Sequence, residues 1–326
     1  MKKRVVDLRG DGPILDIVSY GRAGPARLTR AQLEVIALTV RRAPEVMVKV
    51  SGGARTLAGV EQGLRYLGRD GKLSLESDAG YLLGVKGFDA DVVRDWNLDL
   101  EAHRRQTLRA VRTHRKPLKL VHNLVFSMPP GTPPESVLKA LRKFTEKAFG
   151  EMYRHAMVLH TDERHPHVHV VVKATSEDGR RLYIRKPTLR TWRQQFAENL
   201  RELGVSANAT ERVVRGQTKR SKRDGIYRAV QRGDSTYLRA LTRKARADMA
   251  RGVMDSGMVE LLATRRNVVA GWQALGTHLR GAGYFELADR VDRFVERMPP
   301  VRTDREALND QYRTAAMNPD RPPRVR

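Results

Sequence analysis

HAMVLHTDERHPHVHVVVK, residues 155–173, decides how this chain is read, and it holds five of the nine histidines in the sequence. Residues 154–160 and 167–173 are apolar, strand-like runs joined by a short polar turn, so they read as a strand pair. In an extended strand successive side chains point to opposite faces, which puts His167 and His169 on one face while Val168, Val170 and Val172 fill the other. His160 ends the preceding apolar run, and a tight turn brings it back beside the pair. Three convergent imidazoles make a divalent-ion site with open positions for substrate, which is how a catalytic rather than a structural centre is built.

A single histidine near a sheet is usually a hydrogen-bonded core or surface residue. Clustering shifts the balance. Two histidines share a face, a third ends the neighbouring strand, and Asp162 stands close enough to orient a ring. The sequence has no cysteine to suggest a zinc knuckle, a disulfide or a thiolate ligand.

Working outward, VMVKV (46–50) alternates like a strand, SGG (51–53) turns the chain, and Leu57, Val60, Leu64 and Leu67 recur at helical spacing. RDG (69–71) ends that helix. Leu73–Leu75 reads as a short strand, Asp89–Trp96 as a short helix and LKLVHNLVFS (118–127) as a buried strand. PPGTPPES (129–136) is loop and cap, followed by amphipathic helices over Val137–Phe149 and Thr188–Leu203. Hairpin-like pairs mixed with helical crossovers predict an α+β fold, an antiparallel or mixed central sheet with packed helices, rather than a doubly wound parallel sheet. On the helix after SGG, Tyr66 projects nearly opposite the apolar stripe. A surface aromatic is the ordinary reading of such a tyrosine. Arg65 and Arg69 beside it supply positive charge that attracts phosphate and eases ionisation of a phenol.

The chain has 326 residues, 40% of them hydrophobic, enough for one real core and less compact segments. Its 62 Lys and Arg against 37 Asp and Glu give a formal charge of +25, which points to a polyanionic partner, with nucleic acid foremost. No apolar run reaches a membrane span, and the start MKKRVVDLRGDG lacks the apolar core of a secretory signal, so a cytoplasmic location without membrane insertion is expected. No GxxxxGK[ST] occurs, so no phosphate-loop motor is expected.

LRYLGRDG (64–71), FSMPPGT (126–132) and HTDERHPHVHVVV (160–172) resemble, in order and spacing, the motifs of conjugative relaxases of the Vir-type mobilisation class, within the His-hydrophobic-His endonucleases. The resemblance covers about residues 45 to 215. It implies that Tyr66 is the nucleophile, that His160, His167 and His169 hold a divalent ion (Mg, Mn or Zn), that Asp162 is an orienting catalytic residue and that His165 supports the site from behind. It also implies site- and strand-specific nicking and rejoining at a plasmid origin of transfer through a 5′-phosphotyrosyl intermediate. The implied partners are single-stranded DNA, accessory relaxosome proteins and a type IV secretion coupling protein, with the enzyme acting in a bacterial donor cell and travelling with its DNA. Relatives often carry Asn after the histidine pair and an acid just before HPH, where this chain has Lys173 and Arg164.

A phenol is mostly protonated at neutral pH and needs help to attack a phosphodiester. An ion on a non-bridging oxygen, with nearby Arg and Lys, supplies that help. Two other classes fit the same residues: a rolling-circle initiator or transposase, and a non-enzymatic basic nucleic-acid-binding module. The tyrosine lies upstream of the histidines, and that order favours the relaxase over the initiator.

The domain reading is a basic N-terminal extension over 1–44 with one helix around Leu28–Arg42, a nicking domain over 45–215, a basic helical region over 216–298 and a disordered basic tail over 299–326. Arg65, Arg69, Lys173, Lys219, Arg220, Lys222 and Arg223 are the expected DNA contacts, the last four within a phosphate-tracking arm.

Overall fold

The computed structural model describes residues 28–78, 82–83, 88–98, 108, 112–113, 116–218, 224–251 and 255–317. Among these, Arg42–Ala209 forms one compact unit, while residues 28–41 and 210–317 belong to a second.

Six strands build the first unit: β1 (Met47–Gly52), β2 (Leu75–Ser77), β3 (Leu82–Leu83), β4 (Val121–Ser127), β5 (His155–His160) and β6 (His167–Lys173). They form one sheet in the order β1-β4-β6-β5-β2-β3. Every pairing is antiparallel, which narrows the expectation of an antiparallel or mixed sheet. Leu73–Leu75, expected as a strand, lies a little early. Gly68 to Leu73 are used in the turns that leave the preceding helix, with Leu73 N–H donating to the Gly68 carbonyl at 2.9 Å, so the strand starts at Leu75.

The alternation along β4 and β6 sorts residues to two faces. Leu124 and Phe126 of β4, Val168, Val170 and Val172 of β6, and Val48 of β1 pack on one side against two helices. These are numbered in chain order after α1 (Arg30–Val40), α2 (Leu57–Leu67) and α3 (Phe88–Asp95), as α4 (Pro134–Ala148) and α5 (Lys186–Glu202). Phe126 lies at the centre, 4.8 Å from Phe144 of α4 and 5.3 Å from Phe196 of α5, ring to ring. Asn199 of α5 donates to the Ala140 carbonyl of α4 at 3.0 Å, so the one buried amide between these helices is paired.

The opposite face is only partly roofed. Val121, Ala156, Val158 and Val171 meet Val60, Leu64 and Leu67 of α2, with Val92, Val93 and Trp96 beside them. Thr56 caps α2 by accepting from Gly59 N–H at 3.2 Å. Toward β1 the same face is open, with Met47, Lys49 and Ser51 exposed.

The second unit is helical: α6 (Asp224–Arg232), α7 (Thr236–Arg251), α8 (Ser256–Gly281), α9 (Phe285–Glu296) and α10 (Asp304–Met317), with α1 against α9. Trp272 is buried, 5.0 Å from Phe294, and its Nε1–H donates to the Val214 carbonyl at 2.8 Å. The helix expected in the N-terminal extension is α1, and it buries Val35 and Ile36 in this unit. The expected disordered tail is corrected over 304–317, which is helical. There Leu308 is buried and Arg305 Nε donates to Asp255 at 2.8 Å, contacts that local composition does not reveal. Residues 318–326 lie outside the described ones. Among the described residues no helix is long and apolar enough to cross a membrane.

Phe126→Ala removes the aromatic hub of the larger core. It is expected to cost ~3–5 kcal/mol, read as a lower denaturant midpoint with an unchanged slope in urea unfolding.

Candidate metal centre and active site

Strand register assembles the histidines. His160 and His167 are direct cross-strand partners and His169 lies opposite Val158, so all three project from the face that carries α2. Ring centroids are 5.2 Å apart for His160 and His167, 4.7 Å for His160 and His169, and 5.1 Å for His167 and His169. One nitrogen from each ring falls within 4.8 Å of the others.

Two rings are fixed by carbonyls, which only accept. His167 Nδ1–H donates to the His165 carbonyl at 2.9 Å, leaving Nε2 with its lone pair. His160 Nε2–H donates to the Leu67 carbonyl at 2.8 Å, leaving Nδ1. His169 Nδ1 is buried without a hydrogen-bond partner. Burial pushes the His169 imidazole down to about 3, helped by the positive charge of His160, His167, Arg69 and Lys49. Burial also lowers His160, against the hydrogen bond to Leu67. Neutral rings are the form that donates to a metal, and rings fixed through the second nitrogen are how metal-binding histidines are held. The donor set fits a divalent ion, with His160, His167 and His169 as the residues that would hold it.

Leu67, whose carbonyl holds His160, is the last residue of α2, and Tyr66 precedes it. Tyr66 is 63% exposed, so its hydroxyl is open to a substrate strand. After the helix, Arg69 and Asp70 take left-handed backbone angles, φ 51° and 55°, uncommon for residues with a side chain. From that turn the Arg69 guanidinium lies 5.5 Å from the centre of the Tyr66 ring, in cation–π range. The same group donates to Asp162 at 2.5 Å and stands 3.4 Å from His160 Nδ1. One guanidinium therefore touches the tyrosine, the acid and the triad.

Other expected site residues fall differently. Asp162 meets Arg69 rather than a histidine ring, and that hydrogen bond holds its carboxyl below the usual range. His165 serves through its backbone carbonyl while its imidazole is exposed. Arg65 is exposed beside Tyr66, with Glu61 at 3.9 Å. Lys173, expected to contact DNA, is a correction: it is buried at the far end of β6 and paired with Glu177 at 2.8 Å. Lys219, Arg220, Lys222 and Arg223 lie outside the described residues. Sequence reading missed Lys49, exposed on β1 opposite Val125, which itself pairs with His169. Its signal was a lysine interrupting the valines of VMVKV.

Residues 81–205 match the family model described as "Relaxase: MobA/VirD2-like, nuclease domain", a span that contains the three histidines and begins after Tyr66. The T-DNA border endonuclease VirD2 of Agrobacterium fabrum is 26% identical over 209 residues, covering 60% of this chain and 46% of that protein. The protein of the same name from Rhizobium radiobacter is 26% identical over 202 residues, covering 58% and 47%. This chain thus spans a little under half the length of the curated relatives it matches. A solved structure titled "Molecular Basis of Vancomycin Resistance Transfer in Staphylococcus aureus" is 18% identical, covers 30% of this chain and 61% of that one, and has a TM-score of 0.24. The family match over β4 to α5, together with the VirD2 relatives, supports a Vir-type relaxase class for the nuclease part of this chain.

Proposed function

We propose that this protein nicks and rejoins one strand of DNA by transesterification, with Tyr66 as nucleophile beside the His160, His167 and His169 centre. The observation that carries the reading is the position of Arg69, in contact at once with the Tyr66 ring, Asp162 and His160. The relaxase family match supports it independently.

In this reading the strand lies along the open face between β1 and the triad, where Lys49 meets its phosphates. Tyr66 Oη attacks phosphorus, the bond from phosphorus to the 3′ oxygen breaks, and the phenol gives up its proton to solvent while the departing 3′ oxygen gains one from solvent. A 5′-phosphotyrosyl strand and a free 3′-hydroxyl result. The phosphodiester is exchanged rather than hydrolysed, so the step runs backward to reseal. Arg69 keeps the phenol in place and lends positive charge where negative charge grows. A divalent ion held by the three histidines would supply Lewis-acid polarisation of a non-bridging phosphate oxygen.

The substrate proposed is single-stranded DNA at an origin of transfer, with the nicked strand carried in conjugation by way of accessory relaxosome proteins and a type IV coupling protein. The competing reading is a basic binding module whose histidines only hold a metal for folding. Tyr66→Phe separates the two, because it removes one exposed oxygen. Incubated with transfer-origin oligonucleotides and Mn or Mg, the unaltered protein is expected to give an SDS-resistant adduct. Tyr66→Phe is expected to give none while keeping DNA affinity within about twofold, since an exposed hydroxyl adds little to phosphate-driven binding. Equal adduct from both proteins would remove Tyr66 from the mechanism.

Calorimetric titration of metal-stripped protein with Mn or Zn is expected to show one site per chain. His167→Ala should weaken it beyond the ~10- to 100-fold typical of losing an outer-sphere partner. Unchanged affinity would remove the triad as the ligand set.

A further inference from the structure

His160 has one nitrogen to offer an ion. Its Nε2–H is committed to the Leu67 carbonyl at 2.8 Å, so the available lone pair is that of Nδ1. Arg69 Nη2 stands 3.4 Å from that same nitrogen. A guanidinium carries donors only, so Arg69 and an ion call on one lone pair that serves one partner at a time. Both are cations, and at such range they repel even where water screens them.

Arg69 has a second hold that an ion does not contest. Nη2 donates to Asp162 Oδ2 at 2.5 Å, a charge-assisted bond much shorter than the contact with His160, and the guanidinium lies 5.5 Å from the centre of the Tyr66 ring. Losing His160 therefore leaves the side chain anchored. Its backbone is fixed as well: Arg69 N–H donates to the Tyr66 carbonyl at 3.3 Å and Asp70 N–H to the Arg65 carbonyl at 2.9 Å. Glycine would take the φ of 51° at residue 69 without steric cost, yet the residue there carries the side chain that reaches the triad. The Arg69 and Asp162 side chains are 32% and 51% exposed, so the pair has room to shift.

We infer that Arg69 is a positioning residue that competes with the ion for His160, capping Nδ1 until an ion loads and then being released to Asp162 and Tyr66 alone. The inference rests on the three-histidine ion site proposed above and adds a coupling to it. One side chain links the state of the triad to the state of the nucleophile. Once off His160, its hydrogen-bonding and charge serve Asp162 and the phenol, so Tyr66 receives full help only when the triad is loaded.

The test is calorimetric titration of the metal-stripped full chain with Zn in the absence of DNA, with thermal melting to show each variant folded. Arg69→Gln removes the competitor and is expected to bind Zn roughly tenfold more tightly than the unaltered protein. Lys49→Gln removes a positive charge on the same face that does not contact a donor nitrogen, and is expected to tighten binding by less than about threefold. In the unaltered protein the guanidinium resonance that Arg69→Gln deletes should move with Zn and saturate at one equivalent. Zn binding by Arg69→Gln but not by the unaltered protein would support the competition outright. Arg69→Gln no tighter than the unaltered protein, equal tightening by the two variants, or an unmoved guanidinium resonance would overturn it. If neither the unaltered protein nor Arg69→Gln binds Zn, the inference falls together with the ion site, while the Tyr66 adduct still judges the nicking reading separately.

Discussion

Register between β5 and β6 is the constraint on which the site depends. His160 stands opposite His167 only because Val158 stands opposite His169 and Met157 opposite Val170. A slip of one residue would turn every side chain of β6 to the other face, driving two imidazoles against Phe126 and presenting valines to solvent. What holds the register is apolar and lies on the far side of the sheet, where Val168, Val170 and Val172 are fully buried under α4 and α5. The three histidines are thus positioned by apolar packing to which their imidazoles do not belong, on the far face under α4 and α5 and on their own face by Val158 and Val171 against α2. That separation lets the open face carry polar groups without weakening the core.

Joining helix to triad takes two contacts made by the end of α2. The Leu67 carbonyl sets the tautomer of His160, and the left-handed turn at Arg69 folds a guanidinium back over Tyr66. A tyrosine on an exposed helix face would otherwise be an ordinary surface residue. Arg69 also stands beside the one His160 nitrogen that the Leu67 bond leaves free, so it is positioned to respond to any cation that enters there. The charge of the chain takes on a local meaning as well. Lys49 continues the row that runs through Val125 to His169, while Lys119 and Arg181 gather at the opposite end of the sheet.

Local periodicity made much of this legible in the sequence. Alternation in HVHVVVK, the 3.6-residue stripe of α2 and the short turn between β5 and β6 each depend on neighbours in the chain, and so did the convergence of the three histidines. What escaped depends on contacts distant in sequence. Asp162 was expected to orient a ring, yet it is claimed by Arg69, 93 residues away. Orientation falls instead to backbone carbonyls, which no residue type announces. Lys173 read as a free cation because burial at a strand end and a partner at Glu177 are tertiary facts. The helix over 304–317 has a polar, charged sequence that resembles a tail until Arg305 and Leu308 find partners in the helical unit.

The central claim is that the Tyr66 oxygen becomes covalently joined to DNA. Mass spectrometry of the trypsin-digested adduct tests it most directly, because cleavage after Arg65 and Arg69 isolates Tyr66 in its own short peptide. The account predicts that this peptide alone carries the mass of a 5′-linked nucleotide. Nucleotide mass on any other peptide, or hydrolysed DNA with no modified peptide, would contradict it.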